Sequence, residues 1–361
     1  MKRTFRVITV SAFMMCAIAS ASAQSSLRPV HTFSIVARDP VTGEIGAAVQ
    51  SHWFAVGANV IWAEAGVGAV ATQSFIDPSY GKLGLELMRG GKNPSDALRG
   101  LLQADEHCGG RQVGMVDNQG VTATWTGALD IPAAGGIAGG AQAGSAEKFN
   151  CNTREGGTIQ VGKNFAVQAN LMINDRIWPA MAKAFQETTG DLPEKMLAAL
   201  DAAQAVGGDA RGRQSAALLV VAAKSTGRPW SDRIFDLRVD DSPEPLKELR
   251  TLVQLQRAYN HMNAGDAAVT RKDNEAALRE YGAAEQIAST SAGILPSRLA
   301  EMIYWHAVAL INMGRVNEAL PMFKKVFGME KNWAVLTPRM MKVGLLVNDP
   351  KVLQQIMQQN K

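Results

Sequence analysis

The chain has 361 residues, 47% hydrophobic and 19% charged, with a net charge of +4. This is ordinary globular composition, long enough for two domains that each bury a core. Three of the cations, Lys2, Arg3 and Arg6, lie at the extreme N-terminus; the rest are scattered without an aromatic platform, which argues against nucleic-acid binding.

Val7–Ile18 is largely apolar, and Ala21-Ser22-Ala23 satisfies the small-residue rule for cleavage, so residues 1–23 read as a signal peptide. The apolar run is short for a membrane span, although a retained anchor is the competing reading. The mature chain is expected to begin at Gln24, to be periplasmic or secreted, and to carry no integral membrane anchor after cleavage. Cys108 and Cys151 then remain, an even pair in an oxidising compartment, which points to one disulfide. Metal ligation is weaker, since neither cysteine sits in a CxxC or beside clustered histidines. Two separate buried thiols are the third reading.

His31–Pro40 alternates Thr32, Ser34 and Val36 with Phe33, Ile35 and Ala37, the pattern of a strand with two unlike faces. Asp39-Pro40 and Gly43 mark a turn, and Glu44–Ser51 reads as the returning strand. Further strands are expected over Gly57–Glu64, Gly66–Gln73, Gln112–Asp117 and Val121–Thr126, the last two joined by the hairpin turn Asp117-Asn-Gln-Gly120. Helices are expected over Tyr80–Met88 and Pro94–Ala104, with Asn93 as N-cap and Pro94 at the first position. Ala133–Gly144 reads as irregular and Ser145–Gly162 as a polar surface insertion. A strand over Phe165–Leu171, helices over Trp178–Thr188 and Pro193–Ala205, and strands over Gln214–Ala223 and Ile234–Val239 complete an α+β domain of sheets layered with helices.

After Asp240-Asp241-Ser-Pro-Glu-Pro245 almost everything is helix-forming. Asn274-Glu-Ala-Ala-Leu-Arg-Glu-Tyr281 and Asn317-Glu-Ala-Leu-Pro-Met-Phe323 look like two copies of one pattern, with Gly265 and Gly314 ending helices ahead of them. Ala307–Gly314 followed by Asn317–Leu320 resembles a tetratricopeptide repeat. The copies are spaced more widely than the repeat's usual ~34 residues, which implies an insertion around Ser289–Ser297. Residues 246–361 are therefore expected to form an all-α helical-repeat domain that binds a protein partner, with residues 31–245 folding without it.

No phosphate loop, dinucleotide fingerprint, zinc spacing or Gly-x-Ser-x-Gly occurs, so neither a cofactor nor a metal is expected. Hydrolysis without a cofactor is the class left standing. Gly66–Gln73 ends in the polar pair Thr72 and Gln73, and Asp77-Pro78-Ser79 reads as a helix start whose free N–H groups suit an oxyanion or carboxylate; capping is the simpler role for Ser79. Gly109-Gly-Arg111-Gln112 and Gly207-Gly-Asp209-Ala-Arg211-Gly-Arg-Gln214 share a shape, glycines and charge ahead of a Gln that opens an apolar strand. Arg111, Asp209 and Arg211 are candidates to hold a substrate carboxylate, or equally to form salt bridges that pin loops.

Thr32–Ala37, Phe54–Gly57, Gly66–Gln73, Pro78–Gly81, Arg111–Gly114, Gly207–Asp209 with Gln214–Ala217, and Asp236–Asp241 together resemble the bacterial family called domain of unknown function 1028, over roughly residues 31–250. That resemblance implies the N-terminal-nucleophile (Ntn) hydrolase superfamily, hence a four-layer αββα sandwich, amide-bond hydrolysis, and Thr32 as nucleophile at the start of the first strand. Members often begin Met-Thr, whereas cleavage after Ala23 leaves Gln24–His31 ahead of Thr32 here. The family's usual Gln-Gly-Asn is Gln168-Ala169-Asn170.

Two functions follow. One is an exported amidohydrolase of a small amide or peptide, with Thr32 as nucleophile, its own α-amine as base, and Asn170 with backbone N–H groups near Thr72 or Gln73 steadying the oxyanion. The other is a non-catalytic ligand- or protein-binding scaffold on the same fold. Homo-oligomer formation stays open.

Overall fold

The computed structural model describes Val30 and residues 32–139, 146–151 and 156–360. The expected signal peptide and His31 lie outside the described residues. Strands β1 (Thr32–Arg38) and β2 (Ile45–Ser51) form the expected hairpin, Thr32 facing Ser51. Asp39 fixes its turn by accepting from the N–H groups of Val41 and Thr42. Strands β3 (Ile61–Glu64) and β4 (Gly68–Ser74) precede helices α1 (Ser79–Arg89) and α2 (Pro94–Ala104). As expected, the Asn93 side chain caps α2 by accepting from Asp96 N. Then come β5 (Arg111–Asp117), β6 (Val121–Gly127), β7 (Gly135–Ala138), β8 (Glu147–Phe149), β9 (Gly157–Lys163) and β10 (Phe165–Ala169). Helices α3 (Ile177–Glu187) and α4 (Leu192–Ala205) and strands β11 (Ser215–Val221) and β12 (Arg233–Val239) follow.

The strands make two antiparallel six-stranded sheets, ordered β12-β11-β2-β1-β10-β7 and β3-β4-β5-β6-β9-β8. They face each other through small and β-branched side chains, among them Val36, Val49, Ala69, Ala71 and Val116. On the outer face of the first sheet, Phe33, Ile35 and Leu218 pack against Met181, Met196 and Leu200 of α3 and α4. On the outer face of the second, Val70, Met115 and Trp125 pack against Leu85, Leu98 and Leu102 of α1 and α2. The period-2 alternation thus decides which core each strand residue joins.

Two expectations need correction here. Residues 133–144 are not wholly irregular, because Gly135–Ala138 is an edge strand. Nor is 145–162 only a surface insertion, because Gly157–Lys163 pairs along β6 and buries Ile159. Glycines at 135, 136, 157 and 162 dilute the alternation that would have marked both strands.

The remaining helices are α5 (Pro245–Thr270), α6 (Asn274–Thr290), α7 (Pro296–Asn312), α8 (Val316–Met329), α9 (Asn332–Lys342) and α10 (Pro350–Met357). α5 packs on α6, α6 on α7, α7 on α8, and α8 on both α9 and α10. Gly314 ends α7 with φ of 79°, as expected. Gly265 does not end a helix. It lies inside α5, where a Cβ would stand 2.9 Å from the Tyr281 ring, so its role is close helix–helix approach. The seam expected at 245/246 falls on the first turn of α5. The first half of that helix buries Leu246, Leu249 and Val253 in the core of the first sheet, and the second half buries Ala258, Met262 and Ala268 among the helices. Among the described residues no helix is long and apolar enough to cross a membrane.

Candidate functional site

The inward faces of the central strands carry a polar layer that hydrophobic packing alone would not build. Ser34, Gln73, Gln112, Gln168 and Asn170 are all essentially without solvent exposure. Such groups are stable there only when bonded to one another. The Gln112 amide nitrogen donates to Ala169 O at 2.9 Å, Thr126 Oγ1 at 3.1 Å and Gly135 O at 3.3 Å. Its oxygen accepts from Gln73 Nε2 at 2.7 Å and Asn170 Nδ2 at 2.9 Å. Gln73 accepts in turn from Ser34 Oγ at 2.7 Å, and Gln168 donates to Ala71 O and accepts from Thr124. Gly114 makes room for this layer, since a Cβ there would stand 2.4 Å from the Gln168 side-chain oxygen.

Thr32 sits at one end of the layer, heading a central strand. Its carbonyl accepts from Gln73 Nε2 at 3.0 Å and from Asn170 N at 3.2 Å. Its hydroxyl lies 2.9 Å from Val30 O and 3.2 Å from Ser51 Oγ. Val30 is itself buried and paired with Ser74, each N–H donating to the other's carbonyl. Ser74 adopts φ of 69°, a left-handed conformation unusual for a residue with a Cβ, at the end of β4 where it pairs with Val30. Thr32 is fully buried in this form of the chain.

The other candidates divide into two groups around this end of the sheets. Asp209 is bridged to Met172 and accepts from His52 N at 3.1 Å, next to the Ser51 that faces Thr32. Arg211 clasps the Asp209 carboxylate through Nε at 3.0 Å and a terminal nitrogen at 2.7 Å. On the other side, Arg111 donates to Asp105 through Nε at 2.7 Å and also to Phe75 O. Arg111 and Asp209 therefore serve separate carboxylate–guanidinium pairs and share no bond. Burial raises the Asp105 carboxyl, but Arg111, His107 N and Tyr80 more than offset this and hold it below its ordinary range. Burial and the Asp105 charge push the Tyr80 phenol well up. The Thr72 N–H donates to Val60 O and its hydroxyl to Asp77 O, so both already have partners. Ser79 is exposed in the first turn of α1, and its N–H is taken by Asp77 Oδ1. Cys108 and Cys151 form the expected disulfide. No group of three His, Cys, Asp or Glu close enough to hold a metal is found among the described residues.

One residue of this end escaped the sequence reading. Asp130 is 6% exposed, and one carboxylate oxygen accepts from Gly127 N at 3.0 Å. Burial drives its pKa well above the carboxylate range, against the pull of Ser74, Gly127 N and Arg111. Its only sequence signal is a lone acid in the apolar stretch Leu129-Asp-Ile-Pro132. Its bonding partner Gly127 lines a cavity of about 580 Å³, with Thr126, Gly135, Lys148 and Trp178 among the other walls. Gln112 separates this cavity from Thr32, touching Thr126 and Gly135 on one side and Gln73 and Asn170 on the other.

The model of a family of unknown function, DUF1028, matches residues 32–147 and 141–249. The crystal structure of a protein from Silicibacter pomeroyi described with the same family is 28% identical, with a TM-score of 0.48, over 62% of this chain and 85% of that one. No curated protein matches the chain. The matched segments take in β1, the polar layer and both arginine–carboxylate pairs, and the chain belongs to the DUF1028 family.

Proposed function

We propose that residues 32–245 adopt the αββα layering of the Ntn hydrolases and that Thr32, once freed at its nitrogen, is the nucleophile of an amidohydrolase of a small amide or peptide. The observation that carries this reading is the Thr32 hydroxyl, turned back to 2.9 Å from Val30 O on a strand whose first carbonyl is held from two sides. While the chain ahead of Thr32 is intact, the Thr32 nitrogen is an amide and accepts no proton. A cut there releases an α-amine with a pKa near ~8, which takes the hydroxyl proton as the oxygen attacks the substrate carbonyl carbon. The C–N bond breaks, the proton passes to the leaving nitrogen, and water then hydrolyses the Thr32 ester. Asn170, just past the end of β10 with its N–H on Thr32 O, is the candidate to steady the oxyanion.

The pairing of Val30 with Ser74 supports a second reading for the uncut chain, an inert sandwich that works as a binding scaffold. In either reading we take the protein as exported, which its disulfide supports, and α5–α10 as tetratricopeptide-like pairs that form an interaction surface. Mass spectrometry of the mature N-terminus separates the two. Thr32 first, with Thr32→Ala inactive and Thr32→Ser partly active on amide substrates, supports the enzyme. Full activity in a preparation that uniformly begins at Gln24 excludes this mechanism.

A further inference from the structure

A second cavity, of about 500 Å³, lies among the C-terminal helices, between α5 and α7 and over Tyr281 of α6. Its lining sets two carboxylates and three aromatic rings among aliphatic side chains such as Met262, Val269 and Val308. The Tyr259 hydroxyl donates to Glu301 at 2.6 Å, and the Tyr281 hydroxyl donates to Asp266 at 2.6 Å. Trp305 completes the wall. Neither Asp266 nor Glu301 forms an ion pair with Lys, Arg or His among the described residues; the nearby His261 and His306 rings are bonded to Glu280 and Glu285. Arg298 is close enough to act on the Tyr259 phenol but is not paired with Glu301.

We propose that this groove binds a lysine or arginine side chain carried on an extended segment of a partner polypeptide. Tyr259 and Trp305 line the groove, where aromatic rings attract an organic cation through the quadrupole, and two carboxylates outside any ion pair add charge complementarity. The site is held rigid before any ligand arrives. The Tyr281 ring is fixed between Gly265 and a stacked His306, 5.6 Å away between centroids. Burial and the hydrogen bond to Glu301 push the Tyr259 phenol up to about 12, so it stays a donor that holds the Glu301 carboxylate in place. Length favours a polypeptide over a free amine. The lining on α5 runs from Tyr259 to Thr270, about 16 Å at ~1.5 Å per helical residue, which matches about five extended residues at ~3.3 Å each. This inference is independent of any chemistry at Thr32.

The test titrates the full chain with blocked Ala-Ala-Lys-Ala-Ala, with the same peptide carrying norleucine for lysine, and with spermidine. Calorimetry and tryptophan fluorescence are the readouts. The lysine peptide is expected to bind about tenfold more tightly than the norleucine peptide, and Asp266→Asn with Glu301→Gln to remove that preference at unchanged helical circular dichroism. Should the double variant misfold, loss of the lysine preference in the native protein at high salt supports the same conclusion. Equal binding of the two peptides, or no binding at millimolar peptide, overturns the proposal. Spermidine binding as tightly as the lysine peptide replaces the polypeptide with a free polyamine and overturns it equally.

Discussion

Gln112 is the strongest single test of the polar layer. Gln112→Leu keeps nearly the same volume, so the cavity contribution is small and the change isolates the amide. The amide's two N–H groups lose three acceptors, one hydrogen being shared, and its oxygen loses two donors. Each bond is worth about 1 kcal/mol net, and a buried group left without a partner costs about 1–3 kcal/mol. Gln73 Nε2 keeps Thr32 O as an acceptor, so its loss is partly offset. The sum is about 3–5 kcal/mol, which in a domain of this size lowers Tm by roughly 6–20 °C. Thermal and urea unfolding of the disulfide-intact protein, followed by circular dichroism, measure it. A loss below about 1 kcal/mol would refute the claim that these side chains hold the sheets together at this end.

Three further outcomes follow from the same geometry. Replacing Cys108 and Cys151 together by Ser opens a closure spanning 43 positions, and in the chain-entropy model it lowers stability by about 4 kcal/mol, measured by urea unfolding against the oxidised wild type. A chain ending at residue 245 loses Leu246, Leu249 and Val253 from the first sheet's core, a loss of about 5 kcal/mol that leaves it molten, whereas one ending near residue 257 keeps its near-ultraviolet signal. Asp130 has a raised carboxyl pKa in the fold, so its contribution is fully present below the unfolded value of ~3.9 and is lost as pH rises through the folded pKa. Asp130→Asn should therefore gain stability over the wild type progressively from acid to neutral pH in urea titrations, and a pH-independent difference would contradict this assignment.

The two-faced character of β1 was legible because Thr32 and Ser34 alternate with Phe33 and Ile35, and the structure sends the two sets to opposite faces. What the polar set does was not legible, since its partners Gln73, Gln112 and Asn170 come from other strands and meet only when the sheets stack. The sequence pairs Gln112 with Gln214 as strand-opening glutamines of like shape. The structure separates them, with Gln112 inside the layer and Gln214 reaching the exposed Asp241. Arg111 read equally as a substrate clamp or a loop pin, and the partner it takes in the structure, Asp105, lies just past the end of α2 with no pattern to mark it. Asp130 carries no local signal at all, because its weight comes from burial that only the fold supplies.

The order of the first sheet has a consequence for how the chain is made. β1 and β2 come first in sequence, yet β2 completes its hydrogen bonding only against β11, with Ser51 facing Ser215. A chain that emerges N-terminus first from the ribosome thus presents β2 with an open edge until Ser215–Val221 has followed Ser51. Pairing at such sequence distance is slow. Until β11 arrives, that edge offers unpaired backbone groups to any other strand, which makes the unfinished chain prone to mispairing.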